Sequence, residues 1–340
     1  MAVTLKTIAE KAQVSTMAVS SVLNNSNNTR VSAEKRERIK RIADELGYSP
    51  NRMARVLAGK ASDLIGVVMD SCAPMIYHDR LSRMEKYAAA RGYRFLIGQS
   101  HDDPEKVKTF AQEFISYGAA GIICMAHGYP GKSQEIAQCY PLEKTVFLEK
   151  PEGIDNCCYV ISNIEKAFFE VVGYLAGQGR KRIGLLLLDH PSAGNSMNIR
   201  RNGYMQGLQK SRILFDPNLI CKVVQGQETD VAAFRPIIWR MVREQKVDAI
   251  VAANDHLAAA ALKCLNEMKV SVPKQIAVTG YDNIDLAPLV TPALTTFDDN
   301  RDLVAKSLVE LLFKLIHNPE LGEKDRTVTV DPFFMKRESA

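Results

Sequence analysis

From residue 64 onward, short apolar runs alternate with amphipathic segments, and this alternation most narrows what the chain can fold into. The runs are LIGVVM (64–69), YRFLIG (93–98), AGIICM (120–125), TVFLE (145–149), RIGLLLL (182–188), AIVAA (249–253) and IAVTG (276–280). They are apolar on both faces, as strands are when helices cover each side of a sheet. Between them, Leu81–Arg91, Pro104–Tyr117, Ile164–Gln178, Asp230–Glu244 and Asp255–Lys269 read as helices. A β-α-β-α order predicts doubly wound parallel sheets. There are too many units for one sheet, so two similar α/β lobes are expected. Their boundary falls near residue 160, and a ligand cleft would open at the carboxyl ends of the strands.

The first sixty residues have another character. In TLKTIAEKAQVSTMAVSSVLN (4–24), Leu5, Ile8, Ala9 and Ala12 share one helical face. Gln13-Val14-Ser15 interrupts the pattern, and Ser15 is suited to cap a second helix from Thr16 to about Asn24. That helix would bury Val19, Val22 and Leu23, with Val14 beside them. It would offer Thr16, Met17, Ser20 and Ser21, which are small or linear enough for a major groove. The pattern reads as a DNA-binding helix-turn-helix, and an ordinary helical hairpin is the bland alternative.

Charge supports the first reading. Residues 1–60 hold 11 Lys/Arg and 5 Asp/Glu against a whole-chain net charge of +5, so the rest of the chain sums to −1. A polyanion-binding module joined to a nearly neutral body has this footprint. With 46% hydrophobic and 24% charged residues the chain is globular. The seven cysteines are scattered without a C-x-x-C, and the six histidines show no ligand-like spacing, so reduced thiols and no metal or other cofactor are expected. The opening residues do not read as a signal peptide and no apolar run nears the ~20 residues of a membrane span, which predicts a cytoplasmic protein with no membrane partner.

A third helix is expected from Ser32 to Leu46, stopped by Gly47, with Ile39, Ile42, Ala43 and Leu46 closing a three-helix core. Lys35, Arg36, Lys40 and Arg41 face outward, as phosphate contacts or simply as a solvated face. The segment from Pro50 to Lys60 is a short helix at most and marginal alone. It sets Arg52, Arg55 and Lys60 beside Met53, Val56 and Leu57, and an apolar side chain flanked by cations suits a minor-groove wedge.

Taken together, these parts resemble the lac repressor family of bacterial transcription regulators, and the resemblance covers essentially the whole chain. It is carried by TLKTIAEKAQVS (4–15), VSSVLN (19–24), Val31-Ser32 with Arg36, Ile39, Ala43 and Leu46-Gly47-Tyr48, Pro50-Asn51, Ala54 with Leu57-Ala58-Gly59-Lys60, and Ile65-Gly66-Val67. Further on come Asp102-Asp103-Pro104-Glu105, Arg201 with Gly203-Tyr204, Asn254-Asp255 with Ala258, Gly280-Tyr281-Asp282-Asn283 and Lys336-Arg337-Glu338-Ser339. Each piece is short; their order and spacing are specific.

The resemblance implies an α-helical helix-turn-helix headpiece (1–48), a hinge helix or linker (49–61) and a periplasmic-binding-protein-like α/β effector and dimerisation domain (62–340). Within the latter, an N-lobe of about 62–160 plus 292–320 and a C-lobe of about 161–291 plus 321–340 are expected. It implies a homodimer on palindromic double-stranded operator DNA, with a small-molecule effector, a sugar or sugar derivative, between the lobes. DNA contacts would come from Thr16, Met17, Ser20, Ser21, Asn24, Arg52, Ala54, Arg55 and Leu57, with Leu57 as the wedge, although Leu57 could instead pack between lobes. Arg201 and Asp282 match ligand-contacting positions, an arginine and a carboxylate being able to grip vicinal hydroxyls. Asn254, Glu149 and Arg301 are further candidates, each equally suited to capping or ion pairing.

Three departures stand out. Ser21 occupies a position where many relatives place arginine, which removes the commonest guanine contact. The 24–30 loop is about two residues longer than in the lac repressor. Glu228 stands where a stacking tryptophan is expected, and Trp239, the sole tryptophan, reads as core. No heptads trail the chain, which favours a dimer over a tetramer.

Repressor is the primary reading, with an activator of the same family as the alternative. Inducer and corepressor action stay equally open. A nucleotide-binding enzyme would need Ala126-His-Gly-Tyr-Pro-Gly131-Lys132-Ser133 to act as a P-loop, but alanine replaces its first glycine and Pro130 removes an amide. A solute-binding protein would fit the lobes but not the basic headpiece.

Overall fold

The computed structural model describes residues 3–23, 31–48, 62–70, 75–189, 194–224 and 230–340. They fall into two compact units, Met1–Ser62 and Asp63–Ala340. The hinge, Asn24, Arg52, Ala54, Arg55, Leu57 and Glu228 lie outside the described residues.

The first unit contains α1 (Leu5–Ala12), α2 (Thr16–Leu23) and α3 (Ala33–Glu45). Thr4 and Thr7 form a reciprocal capping box at the start of α1. Its end is set by Gln13 in the left-handed region (φ 52°), whose turn lets the Val14 amide return to the Ala9 carbonyl at 3.1 Å. Ser15 then caps α2, its Oγ accepting from the Ala18 amide at 3.1 Å. Ile8, Ala9, Ala12, Val19, Val22, Ile39, Ile42 and Ala43 form the core, so the turn and cap aim α2 while its apolar side anchors it.

In chain order the second unit begins with β1 (Leu64–Met69), α4 (Met75–Ala89), β2 (Arg94–Gln99), α5 (Pro104–Ser116), β3 (Gly121–Cys124), α6 (Ser133–Gln138), β4 (Thr145–Leu148) and β5 (Cys158–Ser162). Then come α7 (Ile164–Gly177), β6 (Ile183–Asp189), α8 (Gly194–Lys210), β7 (Ile220–Val224), α9 (Val231–Arg243), β8 (Ala249–Ala252), α10 (Asp255–Glu267) and β9 (Ala277–Thr279). It closes with β10 (Thr296–Asp298), α11 (Arg301–His317), β11 (Thr327–Val330) and β12 (Phe333–Met335). Side-chain oxygens of Asp103, Asn163, Asp230 and Asn254 cap α5, α7, α9 and α10, so several expected helix starts have a visible cause.

One sheet has the order β11-β5-β4-β3-β1-β2 and the other β7-β6-β8-β9; every pairing in both is parallel. An antiparallel pair, β10-β12, accompanies the second. The second lobe has a continuous core from Ile164 to Phe297, joined by Ala340. The first lobe buries α4 and α11 on one face of its sheet and α5 and α6 on the other.

The lobes exchange chain differently from the expectation. Val328 pairs with Val160 and Val330 with Ser162, placing 327–330 in the first lobe's sheet rather than the second lobe. Leu294 and Phe297, expected in the first lobe, lie in the second lobe's core. Parallel pairing over so long a separation leaves no local sequence pattern. Trp239 also departs from the expected core position, being 50% exposed on α9.

Helices α7 and α8 approach closely because two glycines face α7. A Cβ on Gly203 would lie 2.2 Å from the Glu165 carbonyl oxygen, and one on Gly207 would lie 2.7 Å from Val172 Cβ. Only glycine permits that separation, and the contact sets the position of α8 against the second sheet.

Candidate nucleic-acid interface and ligand cleft

On α2, Thr16 and Met17 are exposed, Met17 at 78%, and Ser20 is half-buried beside them. So exposed a methionine, on a helix with a solid apolar back, has no packing role among the described residues. Ser21 differs from expectation: its hydroxyl oxygen is out of solvent and has no hydrogen-bond partner among the described residues. The side chain as a whole is half-buried on α2. Lys35, Lys40 and Arg41 are exposed on α3 as expected. The Lys40–Glu37 and Arg41–Glu45 contacts, 3.8 and 3.6 Å, are surface pairs of small energetic weight.

In the second unit, a cavity of about 290 Å³ opens where the strands of both sheets end. The first lobe supplies Asp70 after β1, Tyr77 and Arg80 from α4, His127 after β3, Glu149 after β4 and Ser162 at the end of β5. The second supplies Ser196 and Arg200 from α8, Asn254 after β8, and Tyr281 and Asp282 after β9. Apolar Ile76, Met125, Ile161, Leu188, Met197 and Ile199 fill the walls. A largely apolar cleft with a few convergent polar groups is the ordinary architecture of a small-molecule site.

Of the two neighbouring arginines on α8, Arg200 lines the cleft and Arg201 does not. Arg200 is 6% exposed, whereas Arg201 points to solvent. Adjacent helical residues are separated by about 100°, so two neighbouring arginines cannot share one face. Arg200 Nε donates to the Ala253 carbonyl at 3.0 Å and Nη1 to the Ser196 carbonyl at 3.1 Å. Its guanidinium lies 5.1 Å from the Tyr281 ring centroid and 5.6 Å from that of Phe168. These contacts fix the plane of its fork.

Asp282 is also 6% exposed, and its carboxylate has no hydrogen-bond partner among the described residues. Burial drives its pKa well above the ordinary carboxylate range, against the opposing pull of Arg200. Its φ of 105° holds the carboxylate in a turn that few L residues adopt. Glu149, at φ 67°, accepts from the Ser162 amide at 3.3 Å. Burial raises its pKa to about 7, opposed by that amide, Arg80 and Arg200.

Asn254 both lines the cleft and caps α10: its Oδ1 accepts from the Leu257 amide at 2.9 Å, which leaves the side-chain NH2 for a ligand. Arg301 does not line the cavity; it binds Asp79 and the Asn283 carbonyl instead. Sequence reasoning missed Arg80, which pairs with Asp299 at 2.5 Å within the cleft wall, and Tyr281, whose hydroxyl meets Ser162 Oγ across the lobes at 3.2 Å. Tyr281 was within reach, since it stands beside Asp282 in a recognised motif.

The P-loop-like stretch is a fastener. His127 Nε2 donates to the Leu148 carbonyl at 2.7 Å, and Nδ1 accepts from Ser133 Oγ at 3.3 Å. Ser133 Oγ in turn accepts from the Glu152 amide at 3.2 Å. Burial lowers the His127 pKa, keeping the ring neutral. The hydroxyl a P-loop would offer to magnesium is committed inside the fold.

Residues 4–51 match the family described as bacterial regulatory proteins, lacI family, and residues 172–340 match the periplasmic binding protein-like domain. The HTH-type transcriptional repressor PurR of Klebsiella pneumoniae (strain 342) is 28% identical over 338 residues, covering 99% of this chain and 96% of that protein. Among solved structures, the lac repressor dimer bound to operator and the anti-inducer ONPF superposes with a TM-score of 0.86 at 25% identity, covering 100% of this chain and 99% of that one. The transcriptional regulator CelR in complex with cellobiose shares the fold, with a TM-score of 0.70 at 23% identity over 99% of this chain and 100% of that one.

Proposed function

As the chain is a member of the lacI family of bacterial regulatory proteins, a DNA-binding transcriptional regulator, we propose that it represses transcription in the cytoplasm as a homodimer on a palindromic operator, under the control of a sugar or sugar derivative. Thr16 and Met17 would touch base edges in the major groove, Met17 against a thymine methyl, with Ser20, Ser21 and Asn24 alongside. Arg52, Ala54, Arg55 and Leu57 would enter the minor groove, Leu57 as the wedge that kinks the central step. The lac repressor dimer seen on its operator supports this arrangement. An activator would use the same contacts, because operator position relative to the promoter decides the outcome. The protein acts by binding rather than catalysis.

The observation that carries the effector reading is the buried Asp282 carboxylate, unpartnered among the described residues in a cleft that also presents Arg200. The Asp282 oxygens are not sealed from the cleft, so their acceptor capacity is open to a ligand bearing vicinal hydroxyls. Arg200 donates, Asp282 accepts, and the Asn254 amide supplies a further donor. A cavity of about 290 Å³ lies at the small end of ligand sites and favours one or two rings over a long oligosaccharide.

The test is twofold. Selection of genomic DNA fragments by the full-length protein should recover a palindrome with a fixed centre. Salt-sensitive binding without a consensus would refute sequence-specific regulation. D-glucose, D-galactose, D-ribose, cellobiose and a set of nucleosides should then be screened by melting temperature. A sugar-specific rise that disappears in Asp282→Asn supports the carbohydrate reading, whereas a rise with nucleosides alone overturns it. Operator affinity with and without the bound compound distinguishes inducer from corepressor.

A further inference from the structure

The turn carrying Asp282 is strained and held from several sides. Asp282 and Asn283 have φ of 105° and 50°, conformations that persist only where neighbours impose them. Asp255 Oδ2 accepts from the Ile284 amide at 2.9 Å. Asn283 Nδ2 donates to Asp298 Oδ2 at 2.9 Å, and Arg337 Nη2 donates to Asn283 Oδ1 at 2.7 Å. Asp255 starts α10, Asp298 ends β10 and Arg337 follows β12, so these three restraints come from the second lobe.

The fourth restraint differs in origin. Arg301 opens α11, a first-lobe helix. Its Nη2 donates to the Asn283 carbonyl at 3.2 Å while its Nη1 reaches Asp79 Oδ2 on α4 at 3.3 Å. One guanidinium therefore spans the effector-facing turn and the helix that brings Tyr77 and Arg80 into the cleft. The same Asp79 oxygen accepts from Arg83 Nε at 2.8 Å, and Arg83 in turn meets Asp302 at 3.5 Å. Helix α4 is also the first helix of this unit after the linker in the sequence.

We propose that Arg301 is a positioning residue that couples the Asp282–Asn283 turn to helix α4, and thereby cleft occupancy to the first lobe. The inference rests on the cleft being the effector site. When a ligand engages Asp282, the adjoining Asn283 carbonyl shifts, and the planar fork of Arg301 either carries Asp79 with it or releases it. A flexible ammonium cannot hold both acceptors in one fixed plane. The ion pair is partly solvated, with Arg301 16% and Asp79 34% exposed, so its rupture is inexpensive. That suits a contact with two discrete states.

Full-length Arg301→Lys and Asp79→Asn proteins test this in two ways. The first uses whichever of D-glucose, D-galactose, D-ribose or cellobiose raises the melting temperature. Coupling in regulators is typically ~5–150-fold in operator affinity. Each variant should bring that ratio below about twofold while sugar affinity changes less than about threefold, and the double variant should be no worse than either single one. A large loss of sugar affinity with coupling retained would reduce Arg301 to a support for Asp282 and overturn the proposal.

The second arm is hydrogen exchange without added ligand, which stays decisive if no sugar binds. Arg301→Lys should accelerate exchange at the 282–284 amides and in the first turns of α4 together. Acceleration at the turn alone, or at neither place, would overturn the coupling. Failure of the sugar panel with linked exchange would instead refute the carbohydrate reading and leave the coupling standing.

Discussion

Replacing Gly203 by alanine sets two effects against each other at one atom. In an open helix position the change is favourable by ~1 kcal/mol, because alanine loses less backbone entropy on folding. At Gly203 the new Cβ would lie 2.2 Å from the Glu165 carbonyl oxygen and 3.0 Å from Phe168 Cβ. Ordinary C···O contact begins near ~3.3 Å, so α8 must retreat by about 1 Å. The obstacle is backbone and cannot rotate away. Overpacking of this kind costs ~1–3 kcal/mol, and the rigid obstacle argues for the upper end. The net loss is then ~2 kcal/mol, a fall in melting temperature of roughly 4–8 °C for a unit of this size. Gly173 on α7 has nothing within 4 Å of its virtual Cβ, so Gly173→Ala should raise the melting temperature by ~2–4 °C. Scanning calorimetry of the two full-length variants should show shifts of opposite sign. If both rise, the α7–α8 contact is not what requires glycine.

Other perturbations have equally definite signs. Met17→Ala should weaken operator binding about fivefold, the worth of ~1 kcal/mol of apolar base contact, without changing the melting temperature; loss of stability would contradict the exposed position. Arg200→Lys keeps the charge but loses the stacked fork, so calorimetry should find effector affinity reduced ~10–100-fold, and unchanged affinity would refute its role. Glu149 has its pKa raised from 4.5 to about 7, so the folded protein retains a proton that the unfolded chain releases. Its contribution to stability is complete below about pH 4.5 and is lost as pH rises through 7. Glu149→Gln should therefore flatten denaturation midpoints between those limits and stabilise the ligand-free protein at pH 8; an unchanged pH profile would contradict the burial argument.

The sequence is most legible where structure is local. Ser15, Asp103, Asn163, Asp230 and Asn254 announce helix starts because capping is decided within three residues. The long apolar runs announce the central strands for the same reason. Helix α8 was not expected, because GNSMNIRRNGYMQGLQK has no apolar stripe. It packs through Gly203 and Gly207 and turns a guanidinium inward, so periodicity has little to report. The confusion of Arg201 with Arg200 has the same root, since the rotation of a helix without a stripe cannot be read. Strand β5 escaped notice because it is short and alternating, with Tyr159 and Ile161 half-buried. Its partner β11 lies far along the chain, and nothing nearby marks the pairing. In the cleft, motif positions identified Asp282 and Asn254, whereas the Arg80–Asp299 pair depends on residues 219 apart.

The placement of β11 bears on how the protein is made. The first lobe's sheet is incomplete until residues 327–330 join β5, and α11 must also arrive to cover its core. Among the described residues, the core of the three-helix headpiece is built from residues no later than Tyr48. At ~5–20 residues per second of synthesis, on the order of ten to thirty seconds separate the emergence of β5 from that of β11. During that interval a nascent chain can have a finished DNA-reading module and an unfinished sensor. Truncated products would be expected to carry the headpiece without the means to regulate it, which places the burden of quality control on the last strand translated into the sheet.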